Sequence, residues 1–273
     1  SNTILLIKGG SPALLQPLAD SIKENGGEIR TETNVTDITV KNGKVYGVKI
    51  EVGKKVIPTQ ISDDEEIEAP FVICSVPFWS IFEVISEDLF PEWYVDWIKR
   101  ISHKFCYLCG FIMGLKKPVW PPEVMRWYLP GLPRTKVALA AYYEQETVLQ
   151  IYCQLQWHDK PFFSDLRQAK DMRQIREFLK LLEEDIYDVI PELKENIEWK
   201  IPNLGAFSIA DAPGVAASYR PGLHTPIENL YLVGNNIREA RGLAYQGLAH
   251  TALLCADEIL GKRQADLNAP WSI

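Results

Sequence analysis

One stretch near the end of the chain constrains the fold more than any other. It runs Pro226-Ile227-Glu228-Asn229-Leu230-Tyr231-Leu232-Val233-Gly234-Asn235-Asn236 and continues into Arg241-Gly242-Leu243-Ala244-Tyr245-Gln246-Gly247. Leu230 to Val233 is a short apolar run of buried-strand length. Gly234 stops it and lets the backbone come close to another group. Two amides follow, then small residues, then a helical pattern through Leu248, Ala252, Leu253, Ala256 and Ile259. A strand, a polar crossing and a helix N-terminus in that order offer backbone N–H groups and a positive dipole end to an electron-rich ligand.

The beginning of the chain has its own order. Ile4 to Ile7 is apolar and Gly9-Gly10 breaks it. Ser11 and Pro12 suit the start of a helix, with Leu14, Leu15, Leu18, Ala19 and Ile22 as its apolar stripe. Asn25-Gly26-Gly27 accepts the left-handed backbone that ends it. Strand-like runs over 28–40 and 44–52 meet at Asn42-Gly43, a strong hairpin signal. Asp63 to Glu66 reads as a solvated acidic loop, and Phe71 to Val76 as a buried strand.

The middle reads as helix, strands and helix. Pro91 opens a helix with Trp93, Trp97, Ile98 and Ile101 on one side. Phe105 to Leu115, Val137 to Tyr143 and Val148 to Leu155 are strand candidates. Ser164 caps a long helix whose stripe is Leu166, Ala169, Met172, Ile175, Leu179, Leu182 and Ile186, ended by Pro191. Trp199 to Ile201 starts the return to the C-terminal stretch. The aromatics Trp93, Trp97, Trp120, Trp127, Tyr128, Tyr142, Tyr143, Tyr152 and Trp157 can line an apolar pocket or fill a core.

Composition removes several function classes. A chain of 273 residues that is 47% hydrophobic can bury a large core. Its net charge of −7 and pI near 5.3 oppose a nucleic-acid surface, which needs clustered Lys and Arg. No apolar run reaches the ~20 residues that span a bilayer, so any membrane contact would be peripheral. Five cysteines, an odd number without regular spacing, suggest a reduced cytoplasmic protein. Cys106 and Cys109 form a C-x-x-C, but an offset of three on a strand puts them on opposite faces. His103, His158, His224 and His250 show no ligand spacing, so no metal site is expected.

The C-terminal stretch resembles the flavin-contacting segment of FAD-dependent amine oxidases, protoporphyrinogen oxidases and phytoene desaturases. Asn229 to Gly234 and Ala256-Asp257-Glu258-Ile259-Leu260 carry that resemblance. The early chain resembles the same superfamily through Gly9-Gly10, Gly26-Gly27-Glu28-Ile29, Val35-Thr36-Asp37-Ile38 and Ala69-Pro70-Phe71-Val72-Ile73 with Pro77. The resemblance implies an α/β (α+β) fold. It comprises a partial FAD/NAD(P)-binding domain with a β-meander and an inserted mixed-sheet substrate domain flanked by helices. The expected segments are a FAD-side piece over 1–77, a substrate-binding domain over 78–203 and a second FAD-side piece over 204–273.

The same resemblance implies roles for individual residues. Val35 would meet the adenine through its backbone, with an ordinary edge-strand valine as the plainer reading. Gly234 and Asn235 would face cofactor hydroxyls, and Arg241, Gly242, Leu243 and Ala244 would lie at the helix end nearest the flavin. Lys104 stands where amine oxidases often place a catalytic lysine, with an exposed strand-end lysine as the plainer reading. Arg238 or Arg241 could add charge at that helix end, with surface exposure or pairing to an acidic loop as the plainer reading of both. Two departures stand out. Asn235 replaces the family's acid, keeping an acceptor and losing a charge, and the glycine-rich turn is reduced to Gly242 and Gly247.

No G-x-G-x-x-G occurs anywhere in the chain, although that turn cradles the pyrophosphate in these oxidoreductases. The expectation is therefore a fragment that begins after the dinucleotide-binding segment. It would work with that segment on an apolar or aromatic small-molecule substrate, removing a hydride from an amine or C–C bond, and hold FAD weakly or not at all alone. The alternative expectation is a non-catalytic binding or scaffold protein on a degenerate flavoprotein fold.

Overall fold

A computed structural model describes residues 10–52, 64–102, 104–129, 131–155, 169–209, 215, 217–241 and 245–261. The readings at Ile4–Ile7, Trp157, Ser164 and Leu166 lie outside those residues. In chain order the elements are α1 (Gly10–Glu24), β1 (Thr33–Lys41), β2 (Lys44–Val52), β3 (Asp64–Glu68), β4 (Val72–Cys74) and α2 (Glu92–Ser102). Then come β5 (Phe105–Leu115), β6 (Arg126–Tyr128), β7 (Leu139–Gln145), β8 (Val148–Leu155), α3 (Ala169–Val189) and α4 (Leu193–Asn196). The chain continues with β9 (Ile197–Ile209), β10 (Leu230–Leu232) and α5 (Tyr245–Leu260). Contacts divide the chain into two compact units: 1–29 with 105–207, and 30–104 with 208–273.

The first unit is built on a five-stranded sheet in the order β6-β7-β8-β5-β9. Alternation assigns its two faces. Phe111, Met113 and Leu115 from β5 join Leu149, Ile151 and Leu155 from β8 in one buried cluster with Ile175, Leu182 and Ile186 of α3. Period two on the strands and period 3.6 on the helix meet in this core, as the sequence pattern requires. Asp185 ties α3 to the loop before β7. Its side chain is wholly buried. It accepts hydrogen bonds from the backbone N–H groups of Arg134 and Thr135, the Thr135 hydroxyl and the Arg134 guanidinium. The α1 stripe does not enter a core: Leu15, Leu18 and Ile22 are all exposed and the helix buries none of its residues.

The second unit holds a three-stranded antiparallel meander, β1-β2-β3, and a parallel pair, β10-β4. Asn42 and Gly43 close the hairpin with φ of 53° and 77°, the left-handed pair that a two-residue turn needs. The expected acidic loop is instead β3, laid along β2 with Glu65 opposite Ile50. Acidic residues are poor strand formers, and charge suits an edge strand that must not recruit others. Arg30 adds an ion pair to Glu65 at 2.9 Å. On α2 the buried residues are Tyr94, Val95, Ile98 and Ile101. Trp93 faces outward at 62% exposure, because the helix is turned to stack Tyr94 on Phe90 at 5.2 Å.

Candidate functional site

The C-terminal stretch folds as strand, glycine turn and helix. Leu230, Tyr231 and Leu232 are all buried beside Val72, Ile73 and Cys74 in parallel register. The segment that delivers β10 is laced to the meander. Glu228 N–H donates to the Gly43 carbonyl, Val45 N–H to the Glu228 carbonyl, and Lys44 pairs with Glu228 at 3.1 Å. Asn229 turns with φ of 64° and its side-chain amide donates to the Pro70 carbonyl at 2.9 Å. The end of β10 is thereby fixed against both the hairpin tip and the entry to β4.

Beyond the strand, Val233 N–H donates to the Cys74 carbonyl at 3.0 Å. Gly234 has φ of 132°, a backbone conformation that side chains oppose. A Cβ there would meet nothing within 4 Å, so the space beside it is open. Its N–H donates to the Thr251 hydroxyl, which in turn donates to the Leu248 carbonyl. This bond pins the turn to α5.

Asn235 lies directly over Gly247, so close that a Cβ on Gly247 would collide with Asn235 Oδ1. Asn235 Oδ1 is buried and lacks a hydrogen-bond partner among the described residues, as does Nδ1 of the buried His250. Buried acceptors without partners cost free energy, so the oxygen packed over Gly247 is an acceptor left unused by the described residues.

The face that α5 buries is not the expected leucine stripe. Gly247, His250, Thr251 and Cys255 are buried, and Leu248 stands 41% exposed. Gly247, Thr251 and Cys255 recur at intervals of four, the spacing of one helix face, and their small size allows close seating on the turn. A small-residue face carries little hydropathy, which is why the leucines dominated the sequence pattern. Thr251 was not singled out from the sequence; its only sign there was that spacing from Gly247.

The remaining site residues are placed as follows. Arg241 is exposed, and its carbonyl oxygen lies 3.6 Å from the Cβ position of Gly247. Gly242, Leu243 and Ala244 lie outside the described residues. Val35 sits on β1 opposite Ile50, 39% exposed, at a register shift in the ladder. Lys104 follows α2, half-buried, with its N–H bonded to the Ile101 carbonyl. Arg238 pairs with Glu239, whose other oxygen accepts the Leu223 N–H, so it braces the approach to β10. The structure thus brings Gly234, Asn235 and Arg241 to the start of α5. Among the described residues no cluster of His, Cys, Asp and Glu could hold a metal, and no helix is long and apolar enough to cross a membrane.

In the first unit, the sheet face opposite α3 presents Trp127, Ala140, Tyr152 and Gly110 as successive cross-strand neighbours. Tyr142 and Gln150 form the adjacent rung and are hydrogen-bonded to each other. Trp199 lies over Gly114 and is 46% exposed; Trp127 is 57% exposed. An outward sheet face is usually polar. This one carries the aromatic rings of Trp127, Tyr142, Tyr152 and Trp199, and the Tyr142–Gln150 pair on it is internally satisfied.

A parallel strand pair that runs into a glycine turn and a helix is the crevice at which open α/β folds bind nucleotide cofactors. The sequence profile for flavin containing amine oxidoreductases matches residues 1–260, and the chain belongs to that family. It is 28% identical over 116 residues to the chloroplastic prolycopene isomerase of Daucus carota, which covers 42% of this chain and 17% of that protein. It also shares the fold of an oxidoreductase from Methanosarcina mazei, with a TM-score of 0.59 at 18% identity over 93% of this chain. A geranylgeranyl bacteriochlorophyll reductase-like protein from Thermoplasma acidophilum gives 0.54 at 14% identity over 92%. The chain covers 55% of each of those two structures.

Proposed function

We propose that this chain is the substrate-binding and flavin-contacting part of a FAD-dependent oxidoreductase that removes a hydride from an amine or a C–C bond. The observation that carries the reading is Asn235 Oδ1, buried against Gly247 without a hydrogen-bond partner among the described residues, one residue after Gly234, which has open space beside it. The flavin would supply the chemistry by accepting the hydride. The chain's own residues would bind and orient. Asn235 Oδ1 accepts from a cofactor hydroxyl, and Gly234 gives the backbone room to approach. Val35 offers its backbone to the adenine. Arg241 and the start of α5, with Gly242, Leu243 and Ala244, favour negative charge on the ring. Lys104 is the candidate to hold a water or proton at the reacting end.

The substrate would be an apolar or aromatic small molecule laid on the face formed by Trp127, Tyr142, Tyr152 and Trp199, with water excluded by those rings. A further segment carrying the glycine-rich pyrophosphate loop would complete the cofactor cradle. The test is FAD titration, followed by flavin fluorescence, of the 273-residue chain alone and joined to such a segment. The chain alone should bind weakly and the completed protein tightly. In the completed protein Asn235→Leu should weaken FAD at least tenfold, the loss of about one good hydrogen bond to a buried acceptor. Gly247→Ala should do the same by displacing Asn235, with little change in melting temperature. Undiminished FAD affinity in Asn235→Leu would remove the role given to this turn, and no FAD binding by the completed protein would favour the scaffold reading.

A further inference from the structure

Four cysteines have described side chains, and all four are buried thiols. Two of them face each other. Cys109 on β5 and Cys153 on β8 are direct partners in an antiparallel ladder, 0% and 1% exposed. Cys153 Sγ already leans across the ladder, 3.2 Å from the Cys109 carbonyl oxygen. Directly opposed antiparallel residues have Cα atoms about 4.5–5.5 Å apart, inside the roughly 4.4–6.8 Å window of disulfides. The next rung is unusually tight: a Cβ on Gly110 would come within 2.6 Å of Tyr152 Cα. A glycine beside Cys109 therefore lets the two strands close at this point.

We propose that Cys109 and Cys153 are a redox-sensitive staple that joins the adjacent strands β5 and β8. The oxidant is a hydroperoxide small enough to enter a packed core during local opening. The Cys153 thiolate attacks one peroxide oxygen, giving a sulfenic acid and releasing the other oxygen as hydroxide or alkoxide. The Cys109 thiolate then displaces hydroxide from that sulfur and forms the S–S bond. The two thiol protons neutralise the two leaving groups, so the products are one disulfide with two waters, or with one water and one alcohol. The two electrons lost by the sulfurs reduce the peroxide, and an added dithiol reverses the change.

The bond would hold β5 to β8 beneath the rung of Gly110 and Tyr152. It would close a long loop and so stabilise the first unit. The test exposes the native 273-residue chain to hydrogen peroxide, blocks remaining thiols after denaturation, and maps the peptides by mass spectrometry. The expected result is a Cys109–Cys153 peptide lighter by two hydrogens, absent after dithiothreitol, with a melting temperature raised by roughly 5–10 °C. Cys153→Ala should abolish both the cross-linked peptide and the dithiol-reversible rise. Both thiols still blockable at the peroxide level that oxidises other cysteines, or a bond that pairs other cysteines, would overturn the proposal. So would a cross-link found only when the chain is oxidised in denaturant.

Discussion

At the scale of single residues, the strongest polar anchor is Asp185. Burial opposes its charge. The backbone and hydroxyl of Thr135, with the guanidinium and N–H of Arg134, outweigh burial and hold the carboxyl below the usual carboxylate range. Asp185→Ala strands those donors beside a buried site and should cost about 3 kcal/mol, read as a lower urea midpoint. The pH dependence has a fixed sign. A carboxyl whose folded pKa is depressed contributes fully above its unfolded value of about 4, and loses that contribution as pH falls through the folded value. The wild-type midpoint should therefore drop below about pH 4, and Asp185→Asn should lack that part of the drop. Asn235 is the opposite case: a polar atom buried with nothing among the described residues to satisfy it. The first belongs to a packed anchor, and the second is the atom on which the proposed FAD contact rests.

At the scale of elements, the hairpin of β1 and β2 organises the approach to the Gly234 turn. Its tip receives Glu228 through backbone bonds and the Lys44 ion pair. The pair is exposed on both sides, so the backbone bonds carry most of that tie. Replacing Asn42-Gly43 with Ala-Ala forces two left-handed positions onto residues that resist them, at a cost of about 1–2 kcal/mol each. The expected result is faster amide exchange at Val45 and Glu228 as well as within the hairpin. Slower or unchanged exchange at Glu228 would mean that β10 is placed without the hairpin. The helix α1 contributes differently. It is an amphipathic helix whose apolar side, Leu15, Leu18 and Ile22, covers no part of the described core.

At the scale of the molecule, the two compact units interleave along the chain. The first holds the five-stranded sheet, and the second the meander and the β10-β4 pair. Asp185 and Arg134 lie within the first, while Asn42, Gly43 and Glu228 lie within the second. Hydrogen exchange followed by mass spectrometry should therefore show the effect of Asp185→Ala over the strands and α3 of residues 105–207, with residues 30–104 unchanged. The hairpin substitution should give the reverse. Spread of either effect through the whole chain would show that the units unfold as one.

The local chemistry of the sequence was enough to give the family, the hairpin turn, the extents of β5 and β8, and the strand and glycine that lead to Asn235. Each of these depends on neighbours in the chain: alternation, a left-handed dipeptide, an apolar run stopped by glycine. What the sequence could not give were facts set by distant residues. The acidic run became β3 because β2 offered it a ladder. Trp93 turned outward because Tyr94 found Phe90, and α5 buried Gly247 and Thr251 because the Gly234 turn sits on them. Hydropathy records what a residue prefers; only the tertiary structure decides which surface is present to receive it.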